Sequence, residues 1–233
     1  MANINIFSTN TKIKSAEVNT NFNYLETVVN EGWVNPDETW TYLSATTITV
    51  PTDATTKYNI GDKIKITQTT VKYFYIVGVT ATILTVTAGS DYTVANAAIT
   101  EPFYSKVETP QGFDAPFNWV PTLVGWSANP ATNVYRFSLS GRKCILHIRQ
   151  AADGTSNAQS ITFTLPITAV TKANHVWGGS AMAKDNGVNL GTPSLWLITS
   201  ADTIVTFYKD YATSVWTAAG AKRITASTVE YEI

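Results

Sequence analysis

From Trp33 onward the chain reads as short alternating or wholly apolar runs, each closed by Gly, Asn, Asp or Pro; helical periodicity occurs once, ahead of them. A period of two puts alternate side chains on opposite faces of a strand, so this pattern restricts the fold to a mainly β architecture. The one helical stripe is Val18, Phe22, Leu25 and Val29, spaced four, three and four apart. It predicts a helix over 15–31, about 24 Å long and too short to be stable alone. Ser15 is the expected N-cap, Glu17 places negative charge in the first turn, and Gly32 supplies the left-handed residue that ends the helix. The polar face, Asn19, Thr20, Asn23, Glu26 and Thr27, carries little charge. Two placements are open: the helix lies on the chain's own β-domain, or it joins copies of itself in a larger assembly. The second is favoured, because two heptads are too few for a free coil but enough to seed a bundle held together elsewhere.

Three segments follow from the punctuation. Residues 1–34 form an N-terminal segment, an extended leader over 1–14 and then the helix. Residues 35–110 form a small antiparallel β-barrel or sandwich, with strands expected at 40–43, 46–50, 63–67, 71–80 and 83–87. The stretch 107–118 holds two prolines and a glycine and no periodicity, which marks the boundary. Residues 111–233 form a C-terminal jelly-roll-like β-sandwich head, with strands expected at 133–139, 143–150, 160–165, 176–184, 195–199, 204–208 and 223–232.

Charged residues make up 14% of the chain, against roughly 25% in typical soluble domains. Thr and Asn fill the gap and are less costly to bury at an interface than Lys or Glu. A net charge of −1 provides no electrostatic footprint for a phosphate backbone, so no nucleic-acid partner is expected. No window is apolar enough for membrane insertion, and the N-terminus lacks the basic and apolar regions of a signal peptide. The single cysteine, Cys144, alternates with Leu146 and Ile148 on one face of a strand and is expected to be a buried, inert thiol.

Catalytic chemistry finds little footing. The two histidines, His147 and His175, belong to no paired-ligand motif and no nucleophile elbow, and no metal or cofactor is expected. Asp153, Asp185, Asp202 and Asp210 fall in predicted turns, where Asp is favoured for backbone reasons, so the paired carboxylates of a glycosidase have no support. Gly154 and Gly187 read as hairpin-turn residues. Aromatics are the remaining signal: Trp126, Trp177, Trp196, Trp216, Tyr208 and Tyr211 fall near strand ends or loops, where rings beside Asp and Asn suit either packing or saccharide stacking. Tyr208, Lys209, Asp210, Tyr211 and Trp216 are the candidate ligand surface, since they concentrate rings and charge at one loop.

Three stretches together resemble bacteriophage virion proteins. Phe7-Ser-Thr-Asn-Thr-Lys-Ile-Lys-Ser-Ala-Glu-Val-Asn-Thr-Asn-Phe-Asn-Tyr-Leu25 resembles the attachment segment of phage tail and fibre proteins. Ile60-Gly-Asp-Lys-Ile-Lys-Ile-Thr-Gln68 with Thr85-Val-Thr-Ala-Gly-Ser-Asp-Tyr92 is similar to a small β-domain of phage structural proteins. The segments from Asn118-Trp-Val-Pro-Thr122 through Arg136-Phe-Ser-Leu-Ser-Gly-Arg-Lys-Cys144 to Thr162-Phe-Thr-Leu-Pro166 resemble the trimeric heads of phage fibres. The resemblance implies a homotrimer on a virion, made in the host cytoplasm, with Val18, Phe22, Leu25 and Val29 at the three-fold axis. Other virion proteins would be its partners, and a host-surface glycan a further one. It leaves open a tail-fibre or receptor-binding role, a capsid or neck decoration or head-fibre protein with a purely architectural role, and, with least support, a glycan-degrading tail protein.

Overall fold

The computed structural model describes residue 12 and residues 14–233; the leader expected over 1–14 falls largely outside them. Helix α1 spans Ser15–Glu31, as the stripe predicts. Its cap is one residue earlier than expected: Lys14 is the extended flanking residue, and its backbone N–H donates to Glu17 Oε2 at 3.4 Å. Ser15 thereby becomes the first helical residue, while the Glu17 carboxylate provides the local acceptor. Gly32 takes φ +73° and donates its N–H to Val28 O at 2.9 Å, the left-handed closure expected of it.

The rest is mainly β, divided into two compact units. The first holds α1 and strands β1 (Thr41–Ser44), β2 (Thr47–Thr49), β3 (Lys63–Thr67), β4 (Val71–Val79), β5 (Ile83–Thr87) and β6 (Thr100–Ser105). They form one curled antiparallel sheet in the order β1-β2-β5-β4-β3-β6. Strand β6 is not legible as a strand because Pro102 interrupts it; the structure places it at the sheet edge, where proline is tolerated, with its pairing to β3 slipping between Lys65 and Thr67. Ile48, Ile64, Ile66, Phe74, Ile76 and Leu84 bury one face. Glu38 forms a polar hub in the same unit: it accepts from Trp40 Nε1 (3.2 Å), Thr52 Oγ1 (2.7 Å), Lys57 Nζ (2.8 Å) and Tyr58 Oη (2.8 Å). Burial raises the Glu38 carboxyl, but these four donors outweigh it and hold it below the usual carboxylate range.

The second unit takes Gly89–Asp91 together with Ala115–Ile233. Its strands are β7 (Phe117–Asn118), β8 (Leu123–Val124), β9 (Trp126–Ala128), β10 (Asn133–Ser140), β11 (Lys143–Gln150), β12 (Gly154–Ser156), β13 (Ile161–Thr164), β14 (Val176–Asp185), β15 (Val188–Asn189), β16 (Ser194–Thr199), β17 (Ile204–Tyr208) and β18 (Ala221–Glu232). The path β7-β10-β11-β18-β14-β16-β17-β13-β8 is one continuous curled sheet, antiparallel throughout, with β9, β12 and β15 attached beside it. Cys144, Leu146 and Ile148 point inward and His147 outward, as the alternation requires. The core holds an aromatic cluster in which Phe163 meets Trp126 (5.9 Å), Tyr135 (5.9 Å) and Phe207 (5.1 Å between centroids). Gly154 is not a turn residue: it sits in β12, where an added Cβ would come within 2.4 Å of Trp126 Cδ1. The missing side chain leaves room for the Trp126 ring, whose Nε1 donates to Lys222 O at 3.0 Å.

Candidate functional site

Two surfaces carry the functional residues named from sequence. On α1, the apolar stripe is not the covered one. Glu17, Asn21, Tyr24, Val28 and Glu31 are the partly shielded positions, while Phe22 (65%), Leu25 (49%) and Val29 (78%) remain exposed and Val18 is half-exposed. Helical spacing explains the pattern: 17-21-24-28-31 is the neighbouring stripe, turned by one residue or about 100°. Glu31 O accepts from Gln111 N at 2.8 Å, and Trp33 Nε1 donates to Gln111 O at 2.7 Å, tying the helix end to the loop after β6. A helix serving only its own β-unit would turn its most apolar residues inward.

The loop after β17 is closed rather than open. Trp216 is 1% exposed, its Nε1 donating to Phe207 O at 2.7 Å, so the ring is core and cannot stack on a ligand. Asp210 Oδ1 accepts from Ala212 N (2.9 Å) and Ser214 N (3.1 Å), folding the loop on itself. Lys209 Nζ lies 3.0 Å from Asp185, and that carboxylate also accepts from Thr217 Oγ1 at 2.9 Å. Asp185 is therefore no exposed turn residue: it ends β14 inside the unit and fastens the loop from beneath. Burial raises its carboxyl, and Lys209 with Thr217 more than reverses this, leaving it below the usual range. Tyr208 is half-buried, and of the five residues only Tyr211 stands well exposed.

Behind this loop lies a buried cation. Lys222 has no exposed surface; its Nζ donates to Ala158 O at 2.7 Å and sits 5.6 Å from the Trp126 ring centroid. Burial pulls its ammonium down to about 8, with Asp185 opposing. The Cys144 thiol goes the other way, pushed up to about 12 by burial, which makes it the inert thiol expected. His147 faces out from β11 between Arg136 and Thr228 and lines a groove of about 600 Å³ with Val134, Met182 and Ser180. His175 packs its ring edge on Trp177, centroids 4.5 Å apart.

Among the described residues no group of three or more His, Cys, Asp or Glu side chains could hold a metal ion, and no helix is long and apolar enough to cross a membrane. The chain matches no family model, no curated protein and no solved structure.

Proposed function

We propose that this chain is a virion structural protein of a bacteriophage, a homotrimeric appendage of the tail-fibre or receptor-binding type that attaches by its N-terminus. The observation that carries the reading is the exposed stripe of α1. Phe22, Leu25 and Val29 are each worth roughly 1.5–3 kcal/mol when fully buried, so leaving all of them in water wastes a driving force that packing around a three-fold axis recovers. Homotrimerisation around Val18, Phe22, Leu25 and Val29 suits a helix too short to persist alone. The low charge of the chain suits close contact with identical copies and with other virion proteins. The mechanism is attachment without turnover: the helix docks, and the second unit faces outward, where weak contacts to a host-surface glycan are multiplied by copy number. Purely architectural decoration of a capsid or neck is the competing reading of the same stripe.

Immunogold labelling of particles tests the function directly. Particles assembled with the intact chain should carry label, and particles assembled with Phe22→Asp should carry none. Equal incorporation of the variant overturns the docking role, and binding of the isolated chain to particles but never to host cells favours decoration.

A further inference from the structure

Six of the seven tryptophans, Trp33, Trp40, Trp119, Trp126, Trp196 and Trp216, are buried; Trp177 is not. Its position follows from a split in the sheet of the second unit. Strands β14 and β18 pair from Lys184↔Arg223 to Ala181↔Ser227 and then part. Beyond that point β14 pairs with β16 as far as Val176↔Thr199, while β18 stays with β11 as far as Lys143↔Glu232. The segment before β14 fills part of the opening: Val170 N donates to Glu232 O at 2.8 Å, and Tyr231 Oη donates to Ile167 O at 2.6 Å. What remains is a depression of about 430 Å³ lined by Arg142, Lys143, Trp177, Glu230, Tyr231 and Glu232. That volume is in the range of small-molecule sites.

The lining has a definite chemistry. Trp177 supplies the one indole of this chain that reaches the surface, steadied from one side by the edge-on ring of His175. Tyr231 is 1% exposed and points to the opposite face of β18 from Glu230 and Glu232, so its ring is core and the two carboxylates stand on the outer face. Lys143 and Glu230 form an ion pair at 3.0 Å, Glu232 pairs with Lys172, and Arg142 Nε donates to Ile233 O at 3.0 Å. These bonds hold the charged ends in place, while a guanidinium has five N–H donors and a carboxylate has two acceptor oxygens. Two cations and two carboxylates line one small space, and each carboxylate is already held by a lysine, Glu230 by Lys143 and Glu232 by Lys172. An anion drawn to Arg142 and Lys143 meets Glu230 and Glu232 at the same rim, and a cation meets the reverse. A neutral polyhydroxy ring loses nothing: its hydroxyls donate to the carboxylates and accept from the cations, and its C–H face lies on the indole.

We infer that this depression is a binding subsite for a neutral sugar ring, with Trp177 as the stacking platform and Arg142, Lys143, Glu230 and Glu232 as the hydroxyl partners. It gives a place and a ligand class to the outward role proposed for the second unit, and rests on that part of the reading alone. The subsite lies away from the loop of Tyr211 and needs no residue of α1.

The test is a fluorescence titration of the purified full chain with dextran, mannan and galactan as neutral probes and polygalacturonate as the anionic one. Because the other six indoles are buried, a ligand-dependent change reports on Trp177. Saturable binding of at least one neutral probe, with a Kd on the order of 1 mM per site, is expected. The variants are titrated by isothermal titration calorimetry, because those at position 177 lack the reporting indole: Trp177→Ala should weaken binding at least about tenfold, and Trp177→Phe should restore part of the loss. Glu230→Gln, at an exposed position that folding tolerates, should weaken it several-fold. No saturation with any neutral probe, preference for polygalacturonate, or binding unchanged in Trp177→Ala and Glu230→Gln overturns the inference. Sedimentation of the same samples reports assembly separately, so the loss of sugar binding and the loss of the trimer are told apart.

Discussion

Replacing Lys222 with methionine keeps most of the side-chain volume and removes the buried charge. In the folded chain the ammonium titrates at about 8, against 10.5 for an unhindered lysine. Below about pH 8 it is charged in both folded and unfolded chains, and the folded state bears the cost of burying it; above about 10.5 it is neutral in both, and the cost is gone. Between those limits the unfolded chain binds more protons, so this residue makes stability rise with pH. The shift corresponds to roughly 3 kcal/mol at most, at 1.36 kcal/mol per pH unit. Methionine also strands the Ala158 carbonyl that Lys222 served at 2.7 Å, an offset of about 1 kcal/mol that does not depend on pH. Cys144, raised to about 12, and the buried Tyr58 move stability the opposite way in alkali, so the wild type alone is ambiguous. The difference between wild type and Lys222→Met cancels them. Urea unfolding of both proteins at about pH 7, 8, 9 and 10 should show the wild type gaining on the variant by roughly 1–3 kcal/mol across the series. A difference that stays flat with pH refutes the claim that this lysine is charged and buried together.

Two further outcomes follow from the same unit. Asp185→Asn removes the charge that holds Lys209 and weakens the acceptor for Thr217, so amides of residues 209–217 should exchange with solvent at least about tenfold faster while β11 is unaffected. The Cys144 thiol should not react with a thiol reagent in the native protein at about pH 8 and should react fully once urea unfolds it, because a thiol titrating at about 12 has almost no thiolate there.

Helix α1 and most strands are legible because their signals are local. The Val18-to-Val29 stripe, the Gly32 stop and the alternation in Lys143–Gln150 each need only neighbouring residues to be read. The misread features depend on partners distant in the chain. Trp216 reads as a loop ring until Asp185, Lys209 and Thr217 are seen to close that loop over it. Asp185 and Gly154 read as turn residues because Asp and Gly usually are, whereas one is an internal anchor and the other makes room for Trp126. Strand β6 hides behind Pro102, since only its place at the sheet edge makes that proline tolerable. Trp177 stands out in the sequence only as one aromatic among several. What singles it out is the parting of β14 from β18, a matter of register across the sheet that no local pattern encodes.

The exposed stripe on α1 is tested most directly by the mass of the chain in solution. Sedimentation equilibrium of the intact protein should give three times the 25.4 kDa of one chain. Phe22→Asp, which would set three carboxylates around one axis, should give a single-chain mass with the β-rich circular dichroism spectrum retained. A wild type that sediments as one chain at every concentration, or a Phe22→Asp variant that remains a trimer, contradicts the account.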